Sequence, residues 1–132
     1  MDLEILKIAS NTENHKILNT CTHSSKLKNP ICGDVMEVSV KIVKNNIVDF
    51  GYQCKSCIYC QASASLLSRK TINKTILHVK NLLEVADIFF EKENAIFPKK
   101  WSIFNKLFNK KNISRKECLL LPFKTLSKAL KS

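Results

Sequence analysis

The clearest pattern along the chain is an alternation of apolar and polar residues that begins at about residue 35. The apolar, mostly β-branched members of this alternation are Val38, Val40 and Ile42. A period of two places such side chains on one face of a β-strand. Asn45 and Asn46 then supply two residues that tolerate positive φ, and apolar positions resume directly afterwards. The pattern therefore predicts a β-hairpin from Met36 to Gln53, with its turn at the two asparagines.

Helical spacing predicts most of the remaining elements. Residues 3–9 have the mixed pattern of a short helix, and small residues with leucines predict a tightly packed helix over residues 57–70. Apolar positions at three- and four-residue steps predict further helices over residues 79–93 and about 115–130. The polar segment from residue 10 to 29 shows neither period, so we predict an extended or loop segment there.

The segment between the last two predicted helices is both aromatic and basic. Trp101, Phe104, Leu107 and Phe108 lie at three- and four-residue steps, and lysines occupy many of the other positions. This spacing predicts a basic amphipathic helix. Its apolar stripe either docks on a membrane surface or a partner, or packs in the core. The core interpretation is favoured, because aromatic stripes at this spacing are usually buried.

Length and composition predict one domain that spans residues 1–132. The chain has 132 residues and is 45% hydrophobic, which is enough to bury a core without covalent cross-links. Its first seven residues carry two acids and lack the apolar stretch of a signal peptide, so we expect the six cysteines to be in a reducing cytoplasm. No apolar run approaches the roughly 18 residues of a membrane span.

The strong positive charge does not by itself indicate nucleic-acid binding. The net charge is +11, yet only Arg69 and Arg115 of the 22 basic residues are arginine. Arginine is the residue that reads phosphates and bases in a bidentate manner. The excess of lysine, isoleucine and asparagine with only two glycines is typical of a bias across a whole AT-rich genome. A nucleic-acid partner is therefore disfavoured.

Three cysteines and one aspartate form a candidate metal site. Cys32 and Asp34 are two residues apart, so their side chains share one side of an extended segment. Cys57 precedes a predicted helix and Cys118 opens the last one, and all four can reach one end of the sheet. Three thiolates and a carboxylate suit tetrahedral zinc or an iron–sulfur cluster. Locally, Asp34 is equally typical of a turn or cap residue.

The other cysteines fit a metal site less well. Cys54, Cys57 and Cys60 form a C-x-x-C-x-x-C motif like the start of a ferredoxin cluster motif, but Ala64 occupies the position of the fourth cysteine. Cys54 and Cys60 are therefore interpreted as accessory or packing thiols. Cys21 lies two residues from a histidine, and two donors in a polar segment do not define a site.

Three motifs in a fixed order resemble the NifU/IscU-like iron–sulfur cluster assembly family, including its SufU branch. They are Asn-Pro-Ile-Cys-Gly-Asp at residues 29–34, Cys-x-x-x-x-Ala-Ser-x-Ser at residues 57–65 and Arg-x-x-Cys-x-x-Leu at residues 115–121. The resemblance spans roughly residues 25–130. It implies an α+β fold in which a small antiparallel sheet is covered on one side by helices, with a metal site exposed at one end.

Details of the motifs resemble the SufU branch. The interval between Cys57 and Cys118 is long, as in SufU-type members, and Arg115 has a counterpart there. Scaffold-type members have histidine directly before the last cysteine, where this chain has Glu117. Ser56 stands where relatives have glycine before the second cysteine. The resemblance therefore favours a SufU-like chain.

The resemblance implies two related functions and leaves a third class open. As a zinc-dependent sulfurtransferase, the protein would accept persulfide sulfur from a cysteine desulfurase on Cys32, with Asp34 as the weak ligand. As a non-enzymatic scaffold, it would use the same residues for a transient [2Fe–2S] cluster that passes to recipient apo-proteins. The metal ligands implied in both cases are Cys32, Asp34, Cys57 and Cys118. The alternative is a zinc-stabilised nucleic-acid-binding or ferredoxin-like electron-transfer module that uses Cys54 or Cys60.

Overall fold

The computed structural model describes residues 3–30, 33–55, 57–92 and 95–131, which form an α+β fold. Its main elements in chain order are α1 (Leu3–Ala9), β1 (His23–Lys28), β2 (Val35–Val43), β3 (Asn46–Lys55), α2 (Ile58–Thr71), α3 (Ile76–Ile88) and α4 (Lys116–Leu130). In the described residues between α3 and α4, the chain forms the 3₁₀ segments Phe89–Glu91, Lys99–Lys106 and Lys110–Arg115. The predicted fold class, a small antiparallel sheet packed against helices, is confirmed.

The three strands form an antiparallel sheet in the order β1-β2-β3, and one face packs against the helices. The side chains that β2 and β3 bury on this face are Met36, Val38, Val40, Ile47, Phe50 and Tyr52. The predicted hairpin is therefore confirmed. Its outer face carries the alternate residues of β2, such as Glu37 and Lys41, which are exposed.

The hairpin turn lies one residue earlier than predicted. Lys44 and Asn45 have φ of 52° and 66°, and Val43 pairs with Asn46, so Asn46 is the first residue of β3. A turn at the two asparagines would have placed Lys44 opposite Ile47, which is fully buried. The observed turn instead pairs Ile47 with Ile42, so two apolar side chains share the core face.

A β-bulge at Val48 changes the face on which later residues of β3 lie. Lys41 pairs with Asp49 whereas Ile42 pairs with Ile47, so Val48 is the extra residue. In a regular strand, residues three apart point to opposite faces. The bulge allows Ile47 and Phe50 to be fully buried together and leaves Val48 exposed.

The segment predicted to be extended or loop contains strand β1. This strand pairs with β2 from His23 opposite Val40 to Lys28 opposite Val35. Its sequence lacks a clear apolar alternation because Ser25 occupies a core-facing position opposite Val38. The Ser25 hydroxyl donates a hydrogen bond to the backbone carbonyl of Thr125 in α4. A polar contact with the helix layer thus replaces an apolar side chain.

Two of the predicted helices have different limits or geometry. Helix α3 begins at Ile76, where Thr75 accepts a side-chain cap bond from the His78 N–H, and it ends at Ile88 rather than at residue 93. Residues 93 and 94 lie outside the described chain. The predicted amphipathic helix around Trp101 is instead the 3₁₀ segment Lys99–Lys106, which is kinked at Trp101, where φ and ψ are a non-helical −115° and 16°.

The core interpretation of the aromatic stripe is confirmed. Trp101, Phe104, Leu107 and Phe108 are all buried, and Phe104 and Phe108 make edge contacts with Phe123 of α4. The lysines of this segment remain on the surface. In the described part of the chain, no helix combines the length and apolar character needed to cross a bilayer.

Candidate metal centre

The sheet and two helix starts bring three of the four predicted ligands to one place. Asp34 lies directly before β2, and Cys57 is the N-cap residue of α2, shortly after β3. Because β2 and β3 are antiparallel, the start of one lies beside the end of the other, with Val35 opposite Lys55. Cys118 belongs to the first turn of α4, which packs against both α2 and β2.

The potential ligand atoms of these residues form a compact group. A carboxylate oxygen of Asp34 and the Sγ atoms of Cys57 and Cys118 all lie within 4.8 Å of one another. The Cys118 thiol donates a hydrogen bond of 3.6 Å to Asp34 Oδ2. Cys118 is only 7% exposed, and Cys57 is half-buried.

This geometry fits a tetrahedral thiolate and carboxylate site. Two ligands bound to one zinc ion at about 2.0–2.3 Å are roughly 3.5–3.8 Å apart. The observed group would need to contract by about 1 Å, a change within the range of side-chain rotation. Within residues 3–30, 33–55, 57–92 and 95–131, no other group of three or more histidine, cysteine or acidic side chains converges in this way.

Cys32 and Ser56 lie outside the described residues, so the fourth ligand stays a prediction. The described residues on the two sides of Cys32 are linked to each other by backbone hydrogen bonds. The Gly33 N–H donates to the Asn29 carbonyl at 2.8 Å, and the Asn29 N–H donates to the Asp34 carbonyl at 2.7 Å. Gly33 has φ of 77°, which a side chain disfavours. The glycine of the motif is thus explained by the turn that precedes Asp34.

The second motif contributes a bond between the two helices that present the cysteines. Ser63 of α2 is fully buried, and its hydroxyl donates to the Leu119 carbonyl of α4 at 2.6 Å. Ser65 donates to the Asn11 carbonyl at 2.7 Å. Small residues let helices approach closely, and these bonds satisfy the buried hydroxyls. The sequence marked this motif only through its resemblance to a family.

A second contact between these helices was missed by sequence reasoning. The Arg115 guanidinium lies 5.2 Å from the centre of the Tyr59 ring, which is cation–π geometry. Arg115 is the N-cap residue of α4, and Tyr59 lies in the first turn of α2. No periodicity or spacing in the sequence pairs these two residues. Glu117, the residue directly before Cys118, lies 3.8 Å from Lys124 on the surface.

The remaining described cysteines are not members of this group. Cys60 is fully buried in the core, as expected of a packing thiol, and Cys54 is partly buried on β3. Cys21 is exposed, and the neighbouring His23 has its Nδ1 atom 2.9 Å from the Thr22 hydroxyl. None of these cysteines belongs to a converging ligand group in the described chain.

Tyr52 is a buried titratable residue of β3. Burial, and to a lesser extent the charge of Cys54, raises the pKa of Tyr52 from 10.0 to about 12, against smaller opposing effects of a Ser65 hydrogen bond and of Arg69. The Tyr52 ring stacks on His15 with centroids 5.0 Å apart. Its phenol therefore stays protonated at neutral pH and acts as a hydrogen-bonding core residue.

The fold and the side chains define the class of protein: a small α+β domain with two cysteines and an aspartate grouped at one end of its sheet. The chain belongs to the NifU-like N-terminal domain family, whose profile matches residues 2–100. The predicted membership of the NifU/IscU-like family, on its SufU branch, is confirmed.

Individual relatives agree with this assignment. The chain is 28% identical over 127 residues to the iron–sulfur cluster assembly scaffold protein IscU of Thermotoga maritima, covering 96% of this chain and 89% of that protein. It is 30% identical over 130 residues to an uncharacterised protein of Borreliella burgdorferi, covering 97% and 80% of the two chains.

Solved structures show the same fold. The NifU-like N-terminal protein of Brucella abortus has a TM-score of 0.88 at 22% identity, covering 98% of this chain and 91% of that one. A protein from Fervidobacterium islandicum, named as a scaffold for the SUF system, has a TM-score of 0.86 at 26% identity, covering 98% and 96%.

Proposed function

We propose that this protein acts in iron–sulfur cluster assembly through a centre formed by Cys32, Asp34, Cys57 and Cys118, with residues 1–132 forming one NifU-like domain. The observation that carries the proposal is the convergence of Asp34, Cys57 and Cys118 in a chain whose relatives include a scaffold protein named IscU. Cys32 lies two residues from Asp34 and is the fourth donor of the set.

These donors suit a site that must bind a zinc ion or a cluster and then release it. Thiolates are soft ligands and bind zinc or iron strongly, whereas the Asp34 carboxylate is a harder and weaker partner. When bound, zinc or a cluster would keep the cysteines as thiolates and protect them from oxidation. Cys57 is only half-buried, so the group is accessible at this residue. A partner protein can therefore reach it.

In the sulfur-acceptor form of the proposal, Cys32 receives the terminal sulfur of a cysteine desulfurase persulfide. The Cys32 thiolate attacks that terminal sulfur, a new S–S bond forms on Cys32, and the desulfurase cysteine leaves as a thiolate. No external oxidant is needed, because the sulfur is already at the persulfide level. Gly33, the residue after Cys32 in the sequence, is exposed.

In the scaffold form, the same four residues hold a transient [2Fe–2S] cluster as cargo and pass it to recipient apo-proteins. The named IscU and SUF-system relatives favour this form. The alternative of an electron-transfer or nucleic-acid module would need Cys54 or Cys60 as a ligand. Full burial of Cys60 in the core argues against that use.

Metal analysis of anaerobically purified protein tests the proposal. We expect one zinc ion or one cluster per chain, and a large loss of metal in Cys32→Ser, Cys57→Ser and Cys118→Ser. Cys21→Ser is the matched control, because Cys21 is exposed and lies outside the ligand group. Full metal retention in all three variants, with loss in Cys54→Ser or Cys60→Ser, would contradict the assignment.

A further inference from the structure

A groove of about 650 Å³ lies between α3 and α4. Its floor is apolar and is formed by Leu83 of α3 together with Leu120 and Phe123 of α4, which are all buried in the folded chain. Its rim is charged and exposed on both sides. Neither the metal centre nor the family motifs account for a groove of this kind.

The groove has the length and shape of a short helix. On α3 its lining residues lie on one helical face, from Lys80 to Asp87. On α4 they run from Leu120 to Lys131, which is about 16 Å at the 1.5 Å rise of a helix. Apolar side chains occur towards both ends of this lining, at Leu120 and Leu130. A groove with apolar positions spread over several helical turns is a usual receptor surface for an amphipathic helix.

The two rims differ in charge. The α4 rim has three basic residues, Lys124, Lys128 and Lys131, and no acidic one, with the neutral Ser127 between them. The α3 rim has Lys80 at one end but the acidic Glu84 and Asp87 further along. The occupant that matches both rims therefore has an apolar stripe with acidic residues along one edge and basic residues along the other.

We propose that this groove is the docking site for an amphipathic helix of a partner protein, oriented with its acidic edge against α4 and its basic edge against the acidic end of α3. A lipid or nucleic-acid surface fits less well, because Glu84 and Asp87 would face its phosphates. The proposal goes beyond cluster assembly and does not depend on the metal centre.

A designed peptide tests the proposal with the full-length protein. The probe is a fluorescein-labelled helical peptide of about 14 residues, with leucines at helical spacing, glutamates on one flank and lysines on the other. We expect saturable binding by fluorescence anisotropy below 1 mM, and NMR amide shifts confined to α3 and α4.

Charge reversal on the α4 rim provides the critical comparison. Lys128→Glu with Lys131→Glu should weaken binding roughly tenfold, since two rim attractions become repulsions. Lys41→Glu with Lys74→Glu changes the net charge equally on exposed residues away from the groove and should leave binding unchanged. A peptide with lysines on both flanks should reverse the order and bind the rim variant more tightly than the wild type.

Several results would overturn the proposal. These are no binding of the probe up to 1 mM, equal loss in both double variants, or shifts centred on Asp34 and Cys118 rather than on the groove. Self-association of the wild type in sedimentation, abolished by the rim variant, would assign the groove to a second copy of the chain. Binding to vesicles of anionic lipid that only the rim variant loses would assign it to a membrane surface.

Discussion

The hydroxyl of Ser63 in α2 donates a 2.6 Å hydrogen bond to the carbonyl of Leu119 in α4, the residue directly after Cys118. Cys57 precedes the helix that carries Ser63. This buried bond therefore fixes the relative position of the two helices that supply cysteine side chains to the candidate centre. A serine that makes no contact with a metal can thus set the distance between two ligands.

Ser63→Ala should lower the free energy of unfolding by about 1–2 kcal/mol, because a buried hydrogen bond is lost. It should also weaken metal binding, since the two cysteine-bearing helices lose a link. Urea unfolding and competition with a zinc chelator measure the two effects. Ser102→Ala, at an exposed position, is the control and should change neither. An unchanged zinc affinity in Ser63→Ala would limit the role of Ser63 to stability.

Alanine at the two glycines should have unequal effects. A Cβ at Gly51 would lie 2.7 Å from the Lys16 carbonyl oxygen and 3.0 Å from Leu18, so the backbone would have to move. At Gly33 a Cβ meets nothing within 4 Å, and only the positive φ opposes the substitution. We expect Gly51→Ala to destabilise by roughly 2–3 kcal/mol and Gly33→Ala by about 1 kcal/mol. Thermal unfolding of both variants measures the difference, and an equal loss would contradict the close approach at Gly51.

Tyr52 should make stability depend on alkaline pH. Burial raises its pKa to about 12 in the folded protein, against 10.0 for the ordinary group. An acid with a raised pKa favours the folded state fully below pH 10, and this contribution is lost as the pH rises from 10 to 12. The loss should be on the order of 2 kcal/mol. Between pH 8 and 12 the unfolding free energy of the wild type should fall by this amount relative to that of Tyr52→Phe, and a constant difference between the two would contradict the prediction.

Asp34→Ala should make the centre release its metal or cluster more slowly. The carboxylate is the hard ligand of the set, and we expect it to be the one that a partner displaces. In the scaffold form, the variant should be isolated coloured, with a stable [2Fe–2S] spectrum; in the zinc form it should stay colourless and lose sulfur acceptance. Glu37→Ala, on the exposed face of β2, is the control. Transfer at the wild-type rate would make Asp34 a turn residue only.

Cys32→Ala should separate binding of a cysteine desulfurase from sulfur acceptance. The variant should still form the complex but no longer stimulate desulfurase turnover, because the acceptor thiolate is absent. Turnover with cysteine and a reductant measures the effect, with Cys21→Ala as the control that retains stimulation. If the wild-type protein does not stimulate turnover, the scaffold form of the proposal is favoured.

The local sequence pattern predicted those elements that one strong local signal determines, such as strict alternation of apolar and polar residues. The period of two in β2 and the small residues of α2 gave the hairpin and the helix after Cys57. The buried aromatic stripe also followed from spacing alone. The motifs named the candidate ligands before any geometry was known, because thiolates and a carboxylate are recognisable from chemistry.

Tertiary structure decided the features that depend on pairing between distant segments. Strand β1 is held by β2 and by a Ser25 contact with α4, and its own sequence does not indicate a strand. The bulge at Val48 exists because Ile47 and Phe50 must both reach the core. The convergence of the ligands has the same origin, because antiparallel pairing of β2 with β3 and packing of α2 on α4 bring together residues far apart in sequence.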